Sequence, residues 1–592
     1  MADGTRWIIE GRVDDRWPIY TRGNVGEVFP EVVTVFSYHY GVVAAERAWR
    51  DAYDQLGIQA KGDFTSDDPV ILGLFCGYTY LNLSYLRMMG VRAPGSSAEA
   101  IDVAFFGEGD PPPYVPRKGD RSVGSTVRIL RTVLKGLAQD SEPEPVAESF
   151  ARVATFEARR PALDAPDAEL MAYIHSFPSE FEPVFGNHMK TSALAAIVSG
   201  VLSDAAAAAG ERGLVTDLIG AAGNVRSARY SQALYDLACH VRSSTELSAA
   251  FDAGIPGLSD RLAELPAAAS FRAMFDTFIA EHGHRGPNDW ELSARTWDNT
   301  PELALAAIDS MRRAEHDLSP EGRLAGDEAR RQAAIERVRP HLGLLDRLNF
   351  DKAIKSVSIW AQAREATRDR AVRLSLPLKQ VYRELVRRAA ERGGHPNPVW
   401  VALLDPRSEL EQYLADPPAM LATVTERGHI FERYSAIEPP FFVTAQRDVV
   451  TLEELEAAAA ARRAAPTAAP GDVLEGDAGC SGVAEGVVRV VMDPSEGGSL
   501  QPGEILVAPL TDPAWTPLFL PAAAVVVNVG ALMSHAVIVS RELAVPCVVA
   551  VDAATERLRT GMRVRVDGTA GTVTVLDNSA AGLGASSGAS GT

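Results

Sequence analysis

The 592-residue sequence predicts a multidomain protein, with a large, mainly α-helical domain followed by a small, β-rich α/β domain. Three observations predict it. The chain is longer than the roughly 250–300 residues over which a single hydrophobic core keeps growing. From Trp17 to about Ala459, long Ala/Leu/Arg/Glu segments such as 319–339 and 352–392 place apolar residues at three- and four-residue spacing, the period of a helix. After that point β-branched runs such as VVRVVM, AVVVNV and TVTVL are punctuated by Gly, Pro and Asp, which describes short strands joined by turns.

Taken in order, residues 1–456 form the helical domain. Residues 457–471 read as a linker, because an Ala run there is broken by Pro466 and Pro470. Residues 472–577 form the β-rich domain, with one or two short helices among its strands. The Gly/Ser/Ala string of 578–592 cannot bury a core and is expected to be disordered.

Composition narrows the function. With 58 Lys+Arg against 78 Asp+Glu the formal charge is −20, and no Lys/Arg block occurs. Nucleic-acid binders gain affinity by neutralising phosphates, so that class is set aside. Cys76, Cys239, Cys480 and Cys547 are widely spaced, which reads as reduced, mostly buried thiols. The start lacks a basic region followed by an apolar stretch, and the most apolar windows, 194–202 and 543–551, fall short of the ~20 residues of a membrane helix. A cytoplasmic protein without a membrane partner is expected.

The stretch that carries chemistry runs from Val525 to Val551. A buried strand ends at Asn528, Gly530 permits a tight turn, and Ser534-His535 opens a short amphipathic helix. A His there lies beside unpaired backbone N–H groups and the positive end of the helix dipole. That environment disfavours protonation and suits an imidazole that accepts and holds a phosphoryl group. A structural histidine could occupy the same place, so the neighbouring residues decide.

The order G-x-x-x-S-H-A-x-I-x-x-R-E-x-x-x-P, followed by V-D-G-x-x-G-x-V at 566–573, resembles the phosphohistidine swivelling domain of the phosphoenolpyruvate-utilising enzymes. The resemblance extends upstream through 482–486 and through Thr511-Asp512-Pro513-Ala514-Trp515-Thr516-Pro517. It implies that the catalytic residues are His535, which carries the phosphate, Ser534 beside it, and Arg541, which with Glu542 matches the family's Arg-Glu pair. Ala531 and Ala544 stand where the family often has Gly. Asp567 and Gly568 read as a turn, and Trp515 as a packing residue.

The helical region adds two markers. Asn24 to Pro30, and Glu281-His282-Gly283-His284-Arg285-Gly286-Pro287 with Arg295-Thr296-Trp297 downstream, resemble the acceptor-binding region of the rifampin phosphotransferase branch. In the second marker, His and carboxylate residues could bind a metal, but Arg285 in their midst would repel a cation. A phosphate- or acceptor-facing loop and a purely structural turn are the other readings. His284, Arg285 and Arg295 are the candidate substrate-binding residues: Arg grips phosphate oxygens in bidentate fashion, and a neutral His takes a proton from an attacking hydroxyl. No metal ligand set is assigned. Arg364-Glu365 is a weaker candidate that reads more simply as a charge pair on a helix. The segment 186–191 lacks the spacing of a phosphate loop.

The resemblance also implies what feeds the site. In this family phosphohistidine is made by an ATP-grasp domain or from phosphoenolpyruvate in a (β/α)₈ barrel. The first marker begins at Asn24, and the helix-patterned text shows no strand–helix alternation of a barrel. The expected layout is therefore that of rifampin phosphotransferase without its ATP-grasp domain. A separate ATP-grasp-type protein is expected to bring ATP and Mg²⁺, this chain binding no cofactor itself, and a small apolar molecule with a hydroxyl or carboxyl group is the expected acceptor. The alternatives are a diverged protein using His535 as a general acid/base, lyase- or dehydratase-like, and a non-catalytic binding or regulatory protein.

Overall fold

The structure, a computed structural model, describes residues 7, 9–60, 62–106, 111–211, 214–219, 226–313, 320–463, 466–492, 500–511, 515–530 and 534–577. It divides into two compact units, one built from 1–102, 112–304 and 318–453, the other from 454–592 together with 103–111 and 305–317. The first is mainly helical and the second is β-rich.

In the first unit the principal helices are α1 (Val43–Gln55), α2 (Val123–Leu137), α3 (Glu144–Ala158), α4 (Asp167–Ala208), α5 (Arg226–Arg242), α6 (Ala269–His282) and α7 (Leu344–Glu391). The 42-residue α4 and 48-residue α7 form the most extensive helix pairing, with α1 and α3 also against α4. A buried Thr191–Thr367 hydroxyl contact of 2.8 Å links them. α4 contains an 18-residue window of mean hydropathy 1.5, 39% of it buried, and is long and apolar enough by length and composition to cross a membrane, where the sequence windows alone suggested none.

The helical reading of this region omitted a small sheet. Its strands β1 (Tyr20–Thr21), β2 (Leu72–Phe75), β3 (Tyr78–Asn82) and β4 (Phe442–Val443) are antiparallel in the order β2-β3-β1-β4. Two of these strands are only two residues long, too short for an alternation to register in sequence.

The second unit begins within α8 (Leu452–Arg463). Its strands are β5 (Val473–Glu475), β6 (Asp477–Cys480), β7 (Val483–Val490), β8 (Ile505–Ala508), β9 (Ala524–Val527), β10 (Cys547–Val549), β11 (Arg563–Asp567) and β12 (Thr572–Asp577), in the order β5-β12-β11-β7-β8-β9-β10-β6. The pairs β7-β8, β8-β9 and β9-β10 are parallel, and the outer pairs are antiparallel. Ile505, Val507, Ala524 and Val526 enter one buried cluster while Leu506, Ala508, Val525 and Val527 enter the other. Burial on both faces is what makes these strands continuous apolar runs. The short helix α9 (His535–Leu543) packs Ala536, Val537 and Val539 into the second cluster.

The linker assignment needs correction. The Ala run continues α8 to Arg463, and the later part belongs to the β-rich unit. Ala468 is 1% exposed within its core, the Ala468 N–H donates to Arg557 O at 2.9 Å, and the Gly471 N–H donates to Val575 O at 2.8 Å. Proline breaks a helix without excluding the chain from a core, so Pro466 and Pro470 mark a change of conformation. Residues 578–592, the expected tail, lie outside the described residues.

Candidate active site

The geometry around His535 follows from three local constraints. Asn528, just beyond β9, accepts the Thr555 N–H at 3.0 Å and donates from Nδ2 to Thr555 Oγ1 at 2.8 Å, which fixes the end of the strand. A Cβ on Gly530 would lie 2.9 Å from Val549 Cβ, so the chain passes there only as glycine. Ser534 caps α9: it is extended, 2% exposed, and its Oγ accepts the Val537 N–H at 3.3 Å. His535 is thereby the first helical residue, at the positive end of the helix dipole.

The imidazole is half-buried and held on two sides. Nδ1 lies 3.2 Å from the hydroxyl of Thr511, itself 1% exposed, and the ring meets buried Phe519 edge-on at 5.7 Å and 89°. Thr511 stood inside a recognised motif but carried no assigned role. Its meeting with His535, 24 residues on, depends on the pairing of β8 with β9.

The other residues placed at this site do different work. The Ser534 hydroxyl is occupied by the cap. Arg541 is exposed, and its Nε donates to Gly479 O at 2.9 Å, tying α9 to β6. Six residues separate it from His535, about 9 Å along the helix axis, so it is a tether and is not placed on the imidazole. The Glu542 side chain and Ala531 lie outside the described residues. Ala544 adopts φ 54°, ψ 37° at the C-cap, which explains why glycine suits that position. Asp567 Oδ1 accepts the Thr569 and Ala570 N–H groups at 3.0 and 2.9 Å, a turn as anticipated, and Trp515 packs in the core at 4% exposure.

The second marker folds into a loop following α6. Its two halves are joined by Trp297 N–H to Arg285 O at 2.8 Å and Asp298 N–H to Gly283 O at 3.0 Å. A Cβ on Gly286 would lie 2.5 Å from Arg295 O, which gives the glycine a steric reason. His284 is fully buried, and its Nε2 lies 2.9 Å from Asp369 Oδ1 on α7. Burial pushes the His284 pKa down against the opposing pull of Asp369, so the ring is neutral near pH 7. Burial raises the Asp369 carboxyl, but the His284 bond and the charges of Arg370 and Arg285 outweigh it and hold the group ionised.

Arg285 is buried too, 3.1 Å from Asp289 and 5.3 Å above the Tyr230 ring of α5. Arg295 departs from expectation. Its side chain is exposed, and its backbone carbonyl is what packs on Gly286. The first marker is scaffold: Arg22 donates to Thr79 O at 2.7 Å and to Phe29 O at 2.9 Å, clamping residues 24–30 to the small sheet.

Sequence reasoning passed over part of this cluster. His188, inside the discarded segment 186–191, stacks on Trp290 at 6.3 Å and 28°, and burial together with Arg368 pushes its pKa down to about 3. Glu365 faces the same cluster, kept ionised despite burial by Arg364 and Arg368, and Arg368 lies 3.9 Å from Asp289. Glu365, Arg368 and Asp369 share one face of α7 at the helical period. The buried Lys379 donates to Asp289 O at 3.1 Å, its pKa lowered to about 8 by burial and Arg383. Three buried polar atoms of this loop, His284 Nδ1, Asn288 Oδ1 and Trp290 Nε1, have no hydrogen-bond partner among the described residues. Among the described residues, no group of three or more His, Cys, Asp or Glu side chains is arranged to hold a metal ion.

Comparison with known proteins meets this geometry at both places. Residues 500–571, containing Thr511 and His535, match the PEP-utilising enzyme mobile domain, and residues 182–365, containing His188, His284 and Arg285, match the rifampicin phosphotransferase fourth domain. The chain thus resembles the PEP-utilising enzymes in the first stretch and rifampicin phosphotransferase in the second. It resembles the rifampicin phosphotransferase of Streptomyces sviceus, 27% identical over 499 residues that cover 79% of this chain and 52% of that protein. The prodigiosin synthesizing transferase of Serratia marcescens is 25% identical over 97% of this chain and 65% of its own length. An uncharacterized phosphotransferase of Bacillus subtilis is 27% identical over 71% of this chain and 49% of its own. The chain thus spans about half to two thirds of the length of these relatives.

Proposed function

We propose that this chain is the acceptor-binding and phosphoryl-carrying part of a phosphotransferase. His535 takes a phosphoryl group onto Nε2 and passes it to a hydroxyl or carboxyl of a small apolar molecule held by the helical unit. A separate ATP-grasp-type protein supplies the phosphoryl group and holds the ATP and Mg²⁺. The observation that carries this reading is the imidazole at the head of α9 with Nδ1 against the buried Thr511 hydroxyl, inside the mobile-domain match.

The chemistry follows from that hydrogen bond. When Nδ1–H donates to Thr511 Oγ1, the lone pair resides on Nε2, which attacks phosphorus as the bond to the leaving oxygen breaks. In the second half the acceptor oxygen attacks phosphorus, the P–N bond breaks, and its electron pair returns to the ring. His284 is the proposed base for a hydroxyl acceptor. With Nε2–H donated to Asp369, the Nδ1 lone pair takes the proton, and the partly buried carboxylate stabilises the imidazolium that forms. The names of the relatives, whose acceptors or products are small molecules, support the acceptor class.

The test is to incubate the chain with γ-labelled ATP and an ATP-grasp-type protein, and separately with phosphoramidate, a direct donor to histidine. Acid-labile, base-stable label is expected with both, lost in His535→Ala. Absence of label from both donors overturns the reading.

A further inference from the structure

The helix α2 presents an apolar face to solvent that the phosphoryl chemistry does not use. Val123, Val127, Leu130 and Leu134 are 83%, 47%, 47% and 55% exposed. Their 4-3-4 spacing, at about 100° per residue, confines them to one stripe about 60° wide, the seam spacing of packed helices. The opposite side, with Ser125, Ile129 and Gly136 buried, packs on α4 and α7. Exposed Arg128, Arg131 and Lys135 run parallel to the stripe about 100° round the helix, Arg128 donating to Gln59 O and lying 4.0 Å from Asp54. Arg117, Lys118 and Arg121 extend the basic character before it. The lone acid of residues 117–135, Asp120, is buried and accepts from Tyr114 Oη at 2.7 Å and the Arg117 N–H at 2.8 Å.

We infer that α2 is the docking face for an acidic amphipathic helix of a partner protein. The stripe accepts the partner's apolar seam, and the basic row pairs with Glu or Asp flanking it. Charge selects this occupant. An antiparallel two-fold pairing of α2 with a second copy would set basic rows against each other. A membrane surface would have to attract a chain of formal charge −20 through a few cations. Four apolar residues with Arg131 directly flanking them, and Arg128 and Lys135 one position further round on the same side, instead offer an acidic helix both a seam and opposite charge. The inference is independent of the role of His535.

The experiment uses the full chain and two synthetic helical peptides with Leu at the a and d positions, one carrying Glu and the other Lys at e and g. Fluorescence anisotropy is expected to show binding of the Glu peptide, weakening as salt rises. Leu130→Ser/Leu134→Ser weakens it by roughly tenfold or more at unchanged far-UV circular dichroism, because two of the four apolar contacts of the stripe are lost. Arg128→Glu/Arg131→Glu/Lys135→Glu moves the preference to the Lys peptide. Binding of neither peptide, or of both equally, overturns the inference. So does a dimer in light scattering that Leu130→Ser/Leu134→Ser dissociates, or co-flotation of the wild-type chain with phosphatidylglycerol vesicles.

Discussion

Replacing Thr511 with Val tests the hydrogen bond on which the proposed chemistry turns. Valine keeps the shape of threonine and removes the hydroxyl that lies 3.2 Å from His535 Nδ1. In the ground state the bond joins a neutral imidazole to a hydroxyl and is worth about 0.5–1.5 kcal/mol. As Nε2 attacks phosphorus, positive charge develops on the ring and the same bond becomes charge-assisted, worth about 1.5–3 kcal/mol. The transition state therefore loses about 1–1.5 kcal/mol more than the ground state, a slowing of His535 phosphorylation by roughly five- to twelvefold. Thr511 is buried, so water does not replace the missing group. The assay is the initial rate of acid-labile labelling from a fixed phosphoramidate concentration, comparing wild type, Thr511→Val and Thr511→Ser. Serine is expected to retain most of the rate, and phosphorus NMR of the charged wild type should place the phosphoryl group on Nε2. A Thr511→Val chain that charges at the wild-type rate, or a phosphoryl group on Nδ1, refutes the assignment.

Other substitutions separate support from chemistry. Arg541→Ala removes the tether to Gly479 O and is expected to lower the stability of the β-rich unit by about 1 kcal/mol while leaving the charging rate within about twofold; a loss comparable to that of His535→Ala would restore Arg541 to the reacting atoms. Ala544→Gly relieves a left-handed residue and should raise that unit's unfolding free energy by about 0.5–1 kcal/mol, the αL cost less the added chain entropy; denaturant unfolding that shows no gain counts against the strain. His188 predicts a pH dependence in the helical unit. Its folded pKa of about 3 lies below the ordinary 6.5, so the unfolded chain gains a proton first as pH falls. Stability contributed by the neutral ring is present above about pH 6.5 and declines below it, by about 2 kcal/mol at pH 5. Unfolding of His188→Gln should lack that component, and equal slopes for variant and wild type would sink it.

The sequence by itself determined whatever is encoded in neighbouring residues. Helical periodicity over 352–392, apolar runs at 505–508 and 524–527, the Asp567-Gly568 turn and the cap at Ser534 are each decided within a few residues, because hydrogen bonds of helices, turns and caps close locally. His535 was legible for the same reason, with Gly530 and Ser534 as its immediate context. Tertiary structure alone decided the contacts. Thr511 reaches His535 across 24 residues, Asp369 reaches His284 across 85, and Arg541 turns to the backbone of a strand 62 residues earlier. Neither partner in such a pair shows a periodicity that announces the other. His188 is one of several polar residues on α4, and only the approach of Trp290 and α7 puts it among charges. The linker shows the same division: its prolines fixed where the helix stops, while the burial of Ala468 against strands a hundred residues later was settled by packing of the folded core.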